Sequence, residues 1–258
     1  MIVSGTVLDG FEVKAEGDII VSKLVESAKL TAARDVIVKG GVLGRGKGLI
    51  SAGRDIRIGY AQNAKLEAQG NIYIENYAVN SSIATSKRLI MLEKRGTVLG
   101  GEVFALNGID VKNLGSENGT KTTVEAGTDY LVIRTLAEME EVIGFCKQNI
   151  HKLDEVLLPI SAKVNASAPI RPEMKALLIK ALEKKKDLNR RMVTITAKRS
   201  DLQRLSLDRE TCFVKVLETC YPDVSIKIKD LKTIVIKSRE HVRFFDDRKT
   251  GEIGSGAY

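Results

Sequence analysis

The phrase ISAGRDI at residues 50–56 decides the fold, because it recurs along the first half of the chain. Its form is an apolar residue, any residue, Ala or Thr, three further residues, then a second apolar residue. It reads VKAEGDI at 13–19, LTAARDV at 30–36, LEAQGNI at 66–72, IATSKRL at 83–89, VFALNGI at 103–109 and VEAGTDY at 124–130. Successive copies start 17, 20, 16, 17, 20 and 21 residues apart. A repeat of this size is one supersecondary unit that buries its apolar side only by stacking on its neighbours. The period is too short for a helical-pair repeat, which takes more than about 30 residues.

Within a copy, apolar and small residues alternate, as in Leu66, Ala68, Gly70 and Ile72, and only an extended chain places residues two apart on one side. Asp18, Asp35, Asp55 and Asn71 stand just before the last apolar position, where their short polar side chains favour a turn. Each copy therefore reads as strand, tight corner, strand. Glycine follows the same logic: 18 of 22 lie in residues 1–130, where corners are frequent, whereas all four prolines come later. The prediction is a parallel β-solenoid of about seven coils over residues 1–130, filled by aliphatic and alanine side chains. A hexapeptide left-handed helix is set aside because the steps are not multiples of six. Residues 1–12 read as the tail of a preceding coil or a capping strand, because a solenoid end needs cover.

From Leu136 the period changes. Leu136, Met139, Ile143, Cys146, Ile150, Leu153, Leu157 and Ile160 follow one another by alternating steps of three and four, a heptad seam. Pro159 and the following SAKVNASAP are expected to end this helix, leaving a loop of about ten residues. Helix resumes with Pro172 in its first turn. Its seam runs through Met174, Leu178, Ala181, Leu188, Met192, Ile195 and Leu202, with Lys185 and Arg199 at seam positions. Residues 131–209 are predicted to fold back as an antiparallel coiled-coil arm, its second helix about 50 Å long at ~1.5 Å per residue. The polar seam residues fix register or mark a docking place.

Alternation by two returns in residues 210–250. Strands are expected at Phe213–Leu217, Val224–Ile228, Thr233–Ile236 and Val242–Phe245, capping or extending the solenoid's C-terminal end. Residues 251–258 are expected to be a flexible tail.

Charge is uneven. Residues 1–130 hold 16 Lys and Arg against 15 Asp and Glu, whereas Arg171–Arg209 holds 12 against 5. The net charge of +8 therefore belongs largely to the second helix. Trp is absent and aromatic residues make up 5%, which suits a narrow aliphatic interior. No run of 18 apolar residues exists, and the start MIVSGTVLDGFEVKAEGD lacks the basic-then-apolar plan of a signal peptide, so a cytoplasmic protein is expected. Cys146, Cys212 and Cys220 show no zinc-ligand spacing and read as reduced, structural thiols. His151 and His241 lie in no motif.

Residues Gly41 to Lys47 fit the GxxxxGK of a phosphate-binding loop, but Gly48 replaces the magnesium-binding hydroxyl and a repeat strand follows instead of a helix. The passage reads as a glycine-rich corner. Asp18, Asp35 and Asp55 could form a carboxylate row like a polysaccharide-lyase calcium site. Recurrence at one corner is equally what a structural turn predicts, and Asn71 and Arg88 take over the position in later copies.

The VxAxGDIxV phrases, the passage GLISAGRDIRI, the heptad hairpin and the late YPDVSIKI together resemble the flagellar assembly protein A (FapA) family, from Val13 to about Phe245. The phrase alone is also similar, more weakly, to the β-helix of the cell-division inhibitor MinC and to bactofilins. The FapA resemblance implies a bacterial, cytoplasmic, right-handed parallel β-helix with a structural or localising role, and offers no catalytic motif.

With no convergent acid–base pair, nucleophile or metal cluster, the sequence predicts a non-enzymatic scaffold working through protein partners or self-association. No catalytic residue, cofactor, metal or small-molecule substrate is expected. The alternative is an anion-binding protein that meets nucleic acid or an acidic membrane surface through residues 171–209. Either use falls on Lys184, Lys185, Lys186, Arg190, Arg191, Lys198 and Arg199. The absence of aromatics between Arg171 and Arg209 argues against base stacking.

Overall fold

A computed structural model describes residues 1–165, 172–205, 212–247 and 250–257, with side chains for all of these except 160–165 and 203–205. The chain divides into two compact units, one of Met1–Leu131 with Arg209–Tyr258 and the other of Val132–Asp208.

In the first unit the seven phrases lie one above another. Their first apolar residues form a single column by parallel pairing: Val13 on Leu30, then Ile50, Leu66, Ile83, Val103 and Val124. The third position makes a second column of Ala15, Ala32, Ala52, Ala68, Thr85, Ala105 and Ala126. A side chain no larger than Ala or Thr at this place lets the chain bend into the corner that follows. Beyond the corner, the phrase's last residue starts a second wall, in which Ile19, Val36, Ile56, Ile72, Leu89 and Ile109 stack. A third wall carries Val25, Val42, Ala61, Ala78, Val98 and Leu114. These four inward rows, buried except for half-buried Val13 and Ala15 in the first phrase, constitute the core. The seven phrases thus bound six full turns before the helices, close to the seven coils read from the sequence. Residues 1–12 join the first turn: Ile2–Val3 pairs with Ile20 and Val21, and Val7 bridges Val25.

The turn begun by the seventh phrase is completed by residues distant in sequence. Phe213–Cys220 pairs parallel with Gly108–Val111, setting Val214 against Ile109, and reaches the third wall with Cys220 against Leu114. Val224–Ile228 pairs parallel with Thr122–Ala126, setting Ile226 against Val124. Asp223, at φ 62, makes the corner between them. Antiparallel strands then close this end: Leu231–Ile234 on Val224–Ile228, and Arg239–Asp247 on Phe213–Cys220.

Two expectations are corrected. The segment expected as a loose tail, 251–258, is instead a strand where described, because Glu252–Ala257 pairs antiparallel with residues 242–247; Tyr258 lies outside the described residues. Gly251, at φ 71, supplies the tight turn that makes this hairpin. Pro159 does not end the first helix, α1, which spans Tyr130–Asn165 with the proline inside. Pro159 is exposed, so water can satisfy the carbonyl four residues back that loses its partner. The connection narrows to residues 166–171, which lie outside the described residues, and α2 spans Pro172–Leu205.

Candidate interaction surface

The helical unit is organised by its two seams. On α1, Ile143, Cys146 and Leu157 are buried and Leu136, Met139, Ile150 and Leu153 half-buried; Ile160 lies outside the described side chains. On α2, every position from Met174 to Leu202 that the heptad assigns to the seam is half-buried, and the positions between them are exposed except Asn189. Lys185 donates to Asp154 Oδ1, and Arg199 Nη1 lies 2.5 Å from Glu140 Oε2. Moving 14 residues back along α1, from Asp154 to Glu140, moves the partner 14 residues forward along α2. Two helices in one antiparallel register give that relation. Each pair is part exposed and contributes only about 0.5–1 kcal/mol, so its larger effect is to penalise a slipped register.

This geometry splits the seven basic residues singled out from the sequence. Lys185 and Arg199 are spent inside the hairpin. Lys184, Lys186, Arg190, Arg191 and Lys198 are exposed, and among the described residues none of them has an ion-pair partner. Lys184, Arg191 and Lys198 recur every seven residues, so they share one face of α2 about 10 Å apart at ~1.5 Å per residue. The structure does not gather all seven into one patch; it leaves a stripe of three, with Lys186 and Arg190 about 100–160° away round the helix.

The acidic corners of the solenoid are occupied by backbone. Asp18 Oδ1 accepts from the N–H of Asp35 at 3.1 Å, Asp35 Oδ1 from that of Asp55 at 3.1 Å, and Asp55 Oδ1 from that of Asn71 at 2.8 Å. Asn71 Oδ1 continues the ladder by accepting from Arg88 N–H at 3.2 Å. Arg34 and Arg54 flank Asp18 and Asp35 at 3.2 and 3.5 Å. Carboxylates that clamp the next coil's backbone and carry their own guanidinium are turn-makers, and an amide serves equally well in the fourth copy. Among the described residues no three His, Cys, Asp or Glu side chains converge on a metal position. The passage Gly41 to Lys47 is the end of strand Val36–Leu43 and a turn into Leu49–Ala52, with no helix to face a phosphate.

Cys146, Cys212 and Cys220 are buried and free. Burial pushes the Cys220 thiol up to about 12, and raises Cys212 as well, which keeps both as unreactive thiols at neutral pH.

One cluster escaped the sequence reading. Arg88 lies 3.5 Å from Asp110 and 4.6 Å from the centre of the Phe213 ring, and Arg243 lies 4.2 Å from the same ring. Asp110 is set beside Lys215 by register, and burial raises its carboxyl above the ordinary value, with Arg88, Lys215 and Arg243 offsetting part of the shift. Residues 88, 110, 215 and 243 share no local motif; only the stacking of coils brings them together.

A comparison with curated proteins gives no match, and neither does one with solved structures. The family model described as the Flagellar Assembly Protein A beta solenoid domain matches residues 1–253. That span takes in the stacked phrases, the helical insertion and the closing strands. The chain belongs to the FapA β-solenoid domain family.

Proposed function

We propose that this protein is a non-enzymatic cytoplasmic scaffold of the FapA type, acting in flagellar assembly or subcellular localisation by docking protein partners on its helical hairpin. The family supports an assembly role in general. The observation that carries the finer reading is the exposed stripe of Lys184, Arg191 and Lys198, without ion pairs among the described residues, on a helix whose seam cations Lys185 and Arg199 are paired. Unpaired cations at fixed spacing on a rigid helix suit the acidic face of a protein partner, where they steer encounter and set specificity. No described helix is long and apolar enough to cross a membrane.

The test is capture of partners from the native cell by the full chain and by a variant carrying Lys184→Glu, Arg191→Glu and Lys198→Glu. Loss of specific partners with unchanged circular dichroism supports the reading; the same partners in both captures overturn it. The anion-binding alternative is tested on the same samples. Retention on DNA or on anionic vesicles at low salt, falling steeply as salt rises, would favour it over protein docking.

A further inference from the structure

The closing strands leave an opening at the C-terminal end of the solenoid. Strand Leu231–Ile234 pairs only with Val224–Ile228, and Glu252–Ala257 only with Arg239–Asp247, among the described residues. Each therefore presents one edge of unpaired backbone donors and acceptors. Between them lies a cavity of about 350 Å3, its floor made by Val235, Phe244 and Ile253 and its rim by Lys237, Arg239 and Ser255. Arg239 donates to Ser255 Oγ, and among the described residues neither Lys237 nor Arg239 has a carboxylate partner. Ile234 and Ile236 are 55% and 83% exposed and, being two apart in an extended stretch, lie on the same side.

We propose that this end receives an extended, acidic and apolar peptide segment of a partner protein by strand addition. Resting on the scaffold reading, this adds a second docking place and the chemistry of what fits it. Free strand edges supply main-chain hydrogen bonds, which hold any extended segment and select none. Selection comes from the cavity, which takes an alternate apolar side chain against Phe244 and Val235, and from Lys237 and Arg239, which meet carboxylates on the residues between. Exposed Ile236, which also lines the cavity, is covered from water when such a segment docks. A small anionic ligand would use the cavity and the cations but would leave both strand edges and Ile236 uncovered.

Fluorescence anisotropy of the full chain with a labelled peptide of four Glu-Val repeats tests the idea. Two control peptides are needed, four Lys-Val repeats and a Glu-Val peptide N-methylated at alternate residues, which keeps its charge but loses backbone donors. Saturable binding of the Glu-Val peptide, weakened by about tenfold or more by Lys237→Glu with Arg239→Glu, by Ile236→Asp and by N-methylation, supports the proposal. Equal binding of the Lys-Val peptide, indifference to Lys237→Glu with Arg239→Glu, or undiminished binding of the N-methylated peptide overturns it. The hairpin variant Lys184→Glu, Arg191→Glu, Lys198→Glu separates the two docking places. If that variant loses the peptide, the peptide sits on the hairpin and the end site is refuted; if the peptide never binds while hairpin-dependent partners persist, the end site falls and the scaffold reading stands.

Discussion

Leu66→Ala and Val13→Ala remove side chains from the same column, and the cost of each follows from how many rungs hold it. Leu66 is fully buried between Ile50 below and Ile83 above, in strands paired on both edges. Those neighbours are fixed by two hydrogen-bonded ladders at ~4.8 Å spacing, so they cannot move in to fill the space. Its truncation therefore belongs near the upper part of the buried Leu→Ala range, at about 3–5 kcal/mol. Val13 has Leu30 on one side only and is half-buried, so its truncation costs about 1 kcal/mol or less. Stacked repeats do not promise a single two-state transition, which makes hydrogen exchange a better assay than a melting curve. Leu66→Ala should speed exchange in Leu49–Ala52 and in the part of Tyr77–Thr85 that faces it. Val13→Ala should affect only the first two coils. Equal effects of the two substitutions, or acceleration spread evenly through the unit, would refute nearest-neighbour stacking as the source of stability.

Gly59→Ala should destabilise by about 2 kcal/mol or more, read as a shift in thermal midpoint, because the added Cβ would lie 2.3 Å from the Gly40 carbonyl oxygen of the coil beneath. Asp35→Ala should cost about 1 kcal/mol in urea denaturation, while Asp35→Asn should be nearly neutral, since an amide oxygen can still accept from Asp55 N–H as Asn71 does for Arg88. Asp110→Asn should stabilise the protein at neutral pH. The folded state raises this carboxyl above its ordinary 3.8, so its favourable contribution is complete only below that value and is lost as pH rises through the folded value. The advantage of Asp110→Asn should therefore vanish in acid, which stability measured across pH would reveal. In the hairpin, Lys185→Asp should weaken helicity modestly, and adding Asp154→Lys should restore it if the two residues face each other.

The solenoid was legible because its constraint is local and repeated. The same small side chain must precede every corner, and the same aliphatic residue must land on the one beneath. The hairpin was legible for a similar reason, since the heptad positions of Met174 to Leu202 are the half-buried ones. What the sequence concealed depends on pairing at long range. Gly251 and the Glu252–Ala257 strand carry no strong apolar alternation, and their place is set by Arg239–Asp247. Pro159 is a helix breaker by local chemistry, yet α1 runs through it to Asn165. The cluster of Arg88, Asp110, Phe213 and Arg243 forms only once the seventh turn is completed by residues beyond the insertion.

That completion gives the insertion point a definite address. In each of the first six phrases the last apolar residue enters the second wall, but in VEAGTDY the seventh, Tyr130, begins α1 instead and stacks on Phe104 at 4.3 Å. Its place opposite Ile109 is taken by Val214, which is fully buried. The two ends of the insertion meet: a Cβ on Gly127, at φ 86, would touch Cys212 Sγ at 2.5 Å. Joining Asp129 directly to Val214 would write VEAGTDVKV, a phrase of the same form as LTAARDVIV, with three residues between Ala126 and Val214 as there are between Ala105 and Ile109. The chain lacking residues 130–213 should therefore fold as an uninterrupted solenoid, keeping its β-type circular dichroism and cooperative unfolding while losing the helical signal. Its stability should fall by no more than about 1–2 kcal/mol, reflecting loss of the Phe104–Tyr130 stack and the Phe213 contacts with Arg88 and Arg243. A shortened chain that is unfolded, or whose residues 214–228 exchange freely, would show that the helices are needed to dock the final turn and are no mere interruption of a stack already complete in its own pairing.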